Sequence, residues 1–478
     1  MKTGIKFGTD GWRALVAEEF TFPHVRQVTQ AVAAYLKTHR VAGRSLKVIV
    51  GYDTRPLGDR FAEVVAEVLA GNGLKVLLTQ GPLPTPAISF AIREFRLSGG
   101  IAVTASHNPF TYNGLKFKPY YAGPAQPQMT RWIEKRLLQG TIRQLPLAQG
   151  LAQKKIRLVD LSGRYLSFLR SYVDWPLLKE ARFRVAYDSM LGAGQDLLQR
   201  VVSGSHLKVI PVRQAGQLIQ SHHRPEPVGE HLKELASLVR KEHCDVGLAT
   251  DGDADRAGVV GPDGHFISSQ ETMALLLWHL LEDRGWRGMV VTTVSATNLM
   301  EAIAHHYRVP FRRTPVGFKH IARLMRSTNV LFGGEESGGF GFRGCVPERD
   351  GLLAGLLVLE MMAMRKKSLS KILEDLRDHF GHWAFRRGDL GLSQPMAPTH
   401  LIQWAKKISK MPGISLGVSQ VQTLDGVKVI FEDKSWLLMR PSGTEPLLRI
   451  YAEARSEKKA GRLIEAGQAI GRQMVRGS

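Results

Sequence analysis

The sequence predicts an α/β protein made of three similar α/β domains with mixed sheets, followed by a smaller α+β C-terminal domain. Three observations predict it. Short apolar, β-branched runs alternate with helix-length amphipathic segments, the alternation restarts twice along the chain, and beyond Met364 it gives way to short strands and loops. A chain of 478 residues has room for several domains of ordinary size. The first unit reads as the strand KVIVGYD at 47–53, a helix through Phe61–Leu69, and a second strand KVLLTQG at 75–81. After a polar, Gln-rich stretch at 139–154 the grammar restarts with RVAYDSM at 184–190, a helix from Gln195, LKVIPV at 207–212 and DVGLATDGDADR at 245–256. It restarts again with GMVVTTVSA at 288–296, a helix from Thr297, PFRRTPVG at 310–317, a helix from Phe318 and VLFGGEESGG at 330–339. The last part contains VKVIFEDKSWLLMRPSGTEPLLRIYAEA at 427–454, which reads as a hairpin-like pair around a polar turn. The expected domains are residues 1–150, 151–257, 258–380 and 381–478.

Composition excludes several classes of protein. Hydrophobic residues make up 44% and charged residues 23%, a balance that buries cores and does not resemble disorder. With Cys244 and Cys345 as the only cysteines, neither a disulfide framework nor a cysteine-rich zinc site can form, and a reducing cytoplasm is the expected location. The opening MKTGIKFGTDGW has no apolar signal region, and the longest nearly apolar stretch, Gly351–Met364, contains Glu360 and falls short of a bilayer span, so no membrane association is expected. The 65 Lys and Arg residues exceed the 43 Asp and Glu by 22, but they are dispersed. Solvated faces and anionic substrates explain this excess better than a specific nucleic-acid partner.

Four loops carry chemistry. Thr104-Ala105-Ser106-His107-Asn108-Pro109 follows the apolar run GGIAV, so a strand ends in a polar turn. Ser106 beside His107 suggests a nucleophile and its base, although sequence neighbours rarely face each other as in a hydrolase triad. Lys116, ten residues on, supplies a cation or proton-transfer group if the chain folds back. In Asp251-Gly252-Asp253-Ala254-Asp255-Arg256 the carboxylates share one face only in an extended or looped backbone, and three like charges so close call for a hard cation such as Mg²⁺. An EF-hand is excluded, because Arg256 stands where the loop needs Gly and Pro262 where it needs Glu. In Gly333-Gly334-Glu335-Glu336-Ser337-Gly338-Gly339, Glu335 and Ser337 offer acceptors and a hydroxyl suited to sugar hydroxyls. The run Gly339-x-Gly341-x-x-Gly344 fits a dinucleotide fingerprint by spacing alone, since Pro347 and a charged stretch follow where a helix should start. Arg440-Pro441-Ser442-Gly443-Thr444-Glu445-Pro446, with Arg449 beyond, gathers the hydroxyls, amides and guanidinium that hold a phosphate dianion.

Taken in this order, TASHNP, DGDADR, GGEESGG and RPSGTEP resemble the four active-site loops of the α-D-phosphohexomutases, the phosphoglucomutases and phosphomannomutases, and KFGTDGWR at 6–13 resembles that family's opening segment. The resemblance spans nearly the whole chain, one loop per expected domain. It implies reversible phosphoryl transfer between O1 and O6 of a hexose phosphate through a phosphoserine and a hexose 1,6-bisphosphate. Ser106 would carry the phosphoryl group, and its phosphoryl oxygen with Asp251, Asp253 and Asp255 would hold one Mg²⁺. Arg13, His107 and Arg256 would line the same site, and Lys116 matches the family's proton-transfer lysine. Glu335 and Ser337 would hold sugar hydroxyls, while Arg440, Ser442, Gly443, Thr444 and Arg449 would grip the non-reacting phosphate. Phe318 stands where many phosphomannomutases have histidine, and Lys319 and GEESGG resemble the phosphoglucomutase forms, which tilts the expected sugar toward glucose over mannose or glucosamine. The expected partners are small hexose phosphates, and the expected assembly is a monomer or homodimer. A basic nucleic-acid-associated protein with a degenerate mutase fold is the alternative of a different class; intact Ser106, Asp251, Asp253, Asp255 and Arg440 argue against it.

Overall fold

A computed structural model describes residues 4–8, 10–213, 224–392, 394, 401, 417–442 and 446–476. The first sheet holds β1 (Trp12–Leu15), β2 (Lys47–Tyr52), β3 (Lys75–Thr79), β4 (Gly99–Val103), β5 (Tyr112–Pro119) and β6 (Ile156–Val159), in the order β1-β5-β4-β2-β3-β6. Strands β2, β3, β4 and β6 run parallel, β5 pairs antiparallel with β4, and β1 pairs antiparallel with β5. The parallel strands are short runs of Val, Ile, Leu, Gly and Ala because helices cover them. Helix Phe22–Thr38 buries Val25, Val28, Val32 and Leu36 along one stripe, with Pro23 in its first turn and the Thr21 hydroxyl accepting from the amide of His24. Strand β6 lies past residue 150, where the sequence suggests the first boundary, because the polar stretch before it is a crossover back to β3.

The second sheet orders β7 (Arg184–Asp188), β8 (Lys208–Pro211), β9 (Val246–Thr250), β10 (Ala257–Val260) and β11 (Phe266–Ile267) as β11-β10-β9-β7-β8. Its expected end at residue 257 falls at the start of β10, since the chain folds back antiparallel on β9 after the acidic turn and continues to Ile267. In the third region β12 (Met289–Thr293) pairs parallel with β13 (Phe311–Thr314), and β14 (Val330–Gly334) pairs antiparallel with β15 (Phe340–Phe342). The last sheet, β16 (Ala384–Gly391), β17 (Val418–Gln422), β18 (Val427–Phe431), β19 (Trp436–Pro441) and β20 (Leu447–Ala454), is antiparallel throughout, in the order β16-β20-β19-β18-β17. Residues 427–454, expected as one pair of strands, form three. An extra turn forms where Asp433 accepts from the amide of Ser435 and Lys434 adopts a left-handed conformation with φ of 67°.

The chain divides into two compact units, Met1–Gly288 with Gly317–Leu373, and Met289–Val316 with Glu374–Ser478. In the second, Val294 packs with Trp436, Leu438 and Tyr451, and Glu453 accepts from the amide of Asn298 at 2.9 Å and from the indole of Trp436 at 2.9 Å. One topological feature recurs four times. Each chemistry-bearing loop joins an antiparallel pair: β4 to β5, β9 to β10, β14 to β15 and β19 to β20.

Among the described residues no helix is long and apolar enough to cross a membrane. Helix Gly351–Arg365 is apolar all round because it is buried all round, and Glu360 within it is matched by Arg284 and His279. Its first amide is tied to the acidic turn, Gly351 N donating to the carbonyl of Ala254 at 3.0 Å. Its N-cap, Asp350, accepts from the amide of Leu353 at 2.9 Å and from the hydroxyl of Tyr165 at 2.9 Å. Tyr165→Phe removes that hydroxyl from a fully buried carboxyl, and the expected loss is about 1–3 kcal/mol of stability. Chemical denaturation of both proteins measures it.

Candidate active site

The site in the first unit is built from the ends of strands. Ser106 follows β4, Lys116 lies on β5, the aspartates follow β9, and Glu335 follows β14. Ser106 is buried, with φ of 54°, a left-handed conformation that non-glycine residues adopt only when their surroundings enforce it. Its Oγ donates to Asp251 Oδ2 at 2.8 Å, and the Nδ1 of His107 lies 3.5 Å from the same oxygen. The serine loop and the acidic loop touch through a glycine: a Cβ on Gly252 would run into the carbonyl oxygen of Ser106.

Asp251, Asp253 and Asp255 are fully buried, and a carboxylate oxygen from each lies within 4.8 Å of the others. Asp251 Oδ1 accepts from the amides of Asp255 and Arg256 at 2.9 and 3.1 Å, which closes the turn. Lys116 Nζ lies 2.7 Å from Asp253 Oδ2, 3.0 Å from Asp255 Oδ2 and 3.3 Å from Asp10 Oδ2. The second oxygens, Asp253 Oδ1 and Asp255 Oδ1, are buried acceptors without a hydrogen-bond partner. Three convergent carboxylates with two such oxygens fit a small hard cation. A second acidic group, Asp10, Asp255 and Glu348, is already threaded by cations, since Lys118 pairs with Asp10 and Glu348 and Arg349 pairs with Asp255.

Burial and charge separate the proton affinities. Burial and the neighbouring Asp255 and Asp253 hold Asp251 well above the usual carboxylate range. Burial pushes Asp253 the same way, but Lys116 overrides it and leaves that carboxyl low. For Lys116 burial would favour the neutral amine, yet Asp253, Asp255 and Asp10 prevail and hold it charged. Burial and then the cations Arg256, Arg13, Lys116 and Arg55 keep His107 neutral. Burial pushes Glu335 up to about 7 despite Arg349.

The structure thus brings together Ser106, His107, Lys116, Asp251, Asp253 and Asp255. Arg13 and Arg256 adjoin them: Arg13 donates to Asn108 at 2.9 Å and Arg256 to Glu226 at 3.3 Å, and burial, with the neighbouring Arg256 guanidinium second, lowers the proton affinity of Arg13. Glu335 reaches the cluster through Arg349, whose Nη1 is 3.3 Å from Glu335 Oε2 while its Nη2 is 2.5 Å from Asp255 Oδ2. Ser337 is half-buried in the turn that Gly338 N closes on the carbonyl of Glu335 at 3.2 Å. Lys319 sits in the first turn of helix Phe318–Ser327, where its carbonyl accepts from Gln126 at 3.1 Å.

The fourth loop lies in the second unit. Arg440 and Arg449 face each other across β19 and β20, Arg440 Nε donates to Asp425 at 2.7 Å, and the amide of Ser442 donates to the carbonyl of Leu447 at 2.8 Å. Gly443 and Thr444 lie outside the described residues.

Sequence reasoning missed Asp10 and Arg349. Asp10 stands in the KFGTDGWR segment but shows its role only where Lys116, Lys118 and Arg349 converge on it. Arg349 belongs to the charged stretch after Gly344, and its signal was its place directly before the N-cap of a buried helix. Its guanidinium also lies 5.6 Å from the ring centre of Phe318, so the aromatic residue at that position packs beneath the cation that joins the third loop to the second.

Comparisons with known proteins agree with this architecture. Residues 4–143, 163–264 and 268–380 match the models of phosphoglucomutase/phosphomannomutase α/β/α domains I, II and III, and residues 402–467 match that of the C-terminal domain. A phosphoglucomutase/phosphomannomutase of Thermococcus kodakarensis is 31% identical over 99% of this chain and 100% of its own. A phosphoglucosamine/phosphogalactosamine mutase of Sulfurisphaera tokodaii is 29% identical over 96% of this chain and 98% of its own. A crystal structure from Thermus thermophilus that carries the phosphomannomutase name superposes with a TM-score of 0.85 at 33% identity, covering 99% of this chain and 100% of that one. The fold and site define an isomerase of the phosphohexomutase class. Within that class, the chain belongs to the phosphoglucomutase/phosphomannomutase family.

The elevated proton affinity of Glu335 has a measurable consequence. Its folded pKa of about 7 exceeds the ordinary 4.5, so the native state binds the extra proton, and the resulting stabilisation is present below pH 4.5 and lost as pH rises through about 7. Glu335→Gln keeps the neutral form at every pH. The variant is expected to gain thermal midpoint relative to the parent as pH rises from 5 to about 8, which paired melting curves at the two pH values test.

Proposed function

We propose that the chain interconverts glucose 1-phosphate and glucose 6-phosphate by way of phosphorylated Ser106 and glucose 1,6-bisphosphate. The observation that carries this reading is the buried Ser106 Oγ held 2.8 Å from Asp251, at the edge of an acidic trio with unpartnered oxygens. In the first transfer the bond from phosphorus to Ser106 Oγ breaks as the bond to the sugar's free hydroxyl oxygen forms, and that hydroxyl passes its proton to the amine of Lys116, which returns it to the departing sugar oxygen in the second transfer. The second transfer reverses this at the other end of the bisphosphate.

His107 lies beside Ser106 Oγ and lines the site, and Lys116 is assigned the proton transfer, taking a proton as an amine and returning it as an ammonium once the charges of the trio beside it are neutralised. Asp251, Asp253 and Asp255 with the phosphoryl group on Ser106 would hold Mg²⁺, which when bound would neutralise the trio and free Lys116 from the charges that keep it protonated. Glu335 and Ser337, with Lys319 nearby, are assigned to the sugar, and Arg440, Ser442, Gly443, Thr444 and Arg449 to the phosphate that does not react. Arg13 and Arg256 supply positive charge beside Ser106 for the reacting phosphate. Free Cys244 and Cys345 suit a cytoplasmic enzyme.

Ser106→Ala is expected to abolish nearly all turnover, and intact-mass analysis should find a phosphorylated fraction of the parent protein that maps to Ser106. Near-parental activity in the alanine variant would reject the covalent route. Chelation with EDTA should stop activity and Mg²⁺ should restore it.

A second reading, amino-sugar phosphate as substrate, is supported by the phosphoglucosamine name of the Sulfurisphaera relative. Glucose is favoured by Phe318, Lys319 and the GEESGG form of the third loop. An unpaired buried polar group costs about 1–3 kcal/mol, so glucose 1-phosphate should exceed mannose 1-phosphate by roughly tenfold to a hundredfold in kcat/KM. Glucosamine 1-phosphate should be poorer still, and its emergence as best substrate in a coupled assay would establish the second reading.

A further inference from the structure

A left-handed serine with φ of 54° needs more than its acidic partners to hold it in place. The segment Asp53-Thr54-Arg55, directly after β2, supplies the answer. Arg55 is 3% exposed and Asp53 2% exposed, and neither belongs to the groups assigned to substrate or metal. A guanidinium has five N–H donors, and here five hydrogen bonds are made. Nε donates to Asp53 Oδ2 at 3.1 Å. Nη1 donates to the carbonyls of Pro109 at 2.7 Å and Tyr112 at 2.9 Å. Nη2 donates to the carbonyls of Ser106 at 2.6 Å and Asn108 at 2.6 Å.

The other side of the serine is tied to the same pair. Asp53 Oδ2 accepts from the hydroxyl of Thr104 at 2.5 Å, and that hydroxyl oxygen accepts from the amide of Ser106 at 2.9 Å. The N–H and the C=O of Ser106 are therefore both gripped, one through Thr104 and Asp53 and the other by Arg55. Phe110 packs against the guanidinium from within the loop, its ring centre 5.0 Å away. Four carbonyls of this stretch are thus satisfied by one buried cation. The left-handed φ of 54° at Ser106 persists because both of its peptide groups are committed.

We propose that Arg55, buttressed by Asp53, is a positioning residue for phosphoryl transfer: it sets the Ser106 backbone so that Oγ points at the transferring group, without touching substrate. The role rests on the proposed phosphoserine route. A misplacement of about 1 Å at a reacting atom costs on the order of a hundredfold in rate, so the effect should appear in the transfer step and spare ground-state binding.

The test measures the rate at which Ser106 is phosphorylated by glucose 1,6-bisphosphate, by rapid quench and intact mass, together with kcat, KM and the thermal midpoint. The proteins compared are the parent, Arg55→Lys, Arg55→Met and Thr104→Val. Arg55→Met is expected to lower both the phosphorylation rate and kcat by about a hundredfold, with KM changed by less than about threefold. Arg55→Lys, a point-charge donor that cannot span four carbonyls, should recover roughly tenfold of that loss. Thr104→Val removes only the amide-side grip with little change of volume, and should show the same pattern at smaller size even if the arginine variants fold poorly. Equal phosphorylation rates in parent, Thr104→Val and the folded arginine variants, with only the thermal midpoint lowered, would overturn the proposal and leave Arg55 a structural residue. No phosphorylation of Ser106 in the parent would overturn the covalent route and this role with it.

Discussion

Three carboxylates on alternate residues of one buried turn impose the constraint around which the rest of the site is arranged. Unpaired charges in such a place cost several kcal/mol each, and they repel one another as well. Among the described residues the compensation comes from separate stretches of chain: Lys116 from β5 and Arg349 from the segment before helix Gly351–Arg365. Those two cations stand on Asp253 and Asp255, and Asp251, which burial and these two neighbouring carboxylates hold above the usual carboxylate range, accepts from the hydroxyl of Ser106.

That division also links the loops. Arg349 joins Asp255 to Glu335, Asp10 and Glu348, so the acidic turn, the third loop and the opening segment share one guanidinium. Removing one partner of such a buried pair typically costs about 3–5 kcal/mol, because the other charge is left uncompensated away from water. Arg55 does for the serine loop what Arg349 does for the others. Each uses a planar, permanently charged fork that satisfies several acceptors at once, a task a lysine cannot perform.

The four chemistry-bearing loops share a backbone setting as well as a role. Each leaves a buried strand and returns antiparallel beside it, so its two ends are pinned by ladder hydrogen bonds while its tip is free to be specified by polar residues. In the second and third loops glycines permit close approach. Gly252 lies against the carbonyl of Ser106, and Gly338, with φ of 87°, lets Glu335 and Gly339 close the turn.

Much of this was legible in the sequence. The alternation of apolar runs and amphipathic segments determined three α/β units and a C-terminal α+β part, because periodicity reports directly which face of an element is buried. The motifs TASHNP and DGDADR pointed to the buried serine and the acidic trio that the fold brings together, since like charges at alternate positions call for a cation. Sequence could not show that β6 and β10 extend the first two sheets beyond residues 150 and 257, nor that 427–454 makes three strands, because pairing partners are distant in the chain. Nor could it show that Asp10, Arg55 and Arg349 make their ion pairs and hydrogen bonds around the serine and acidic loops. A charged residue carries the same local signal on a solvated face as in a buried network. Only the tertiary structure, by removing water from these groups and bringing in acceptors such as the carbonyls of Ser106 and Asn108, decided which of the chain's many arginines had to be satisfied by protein.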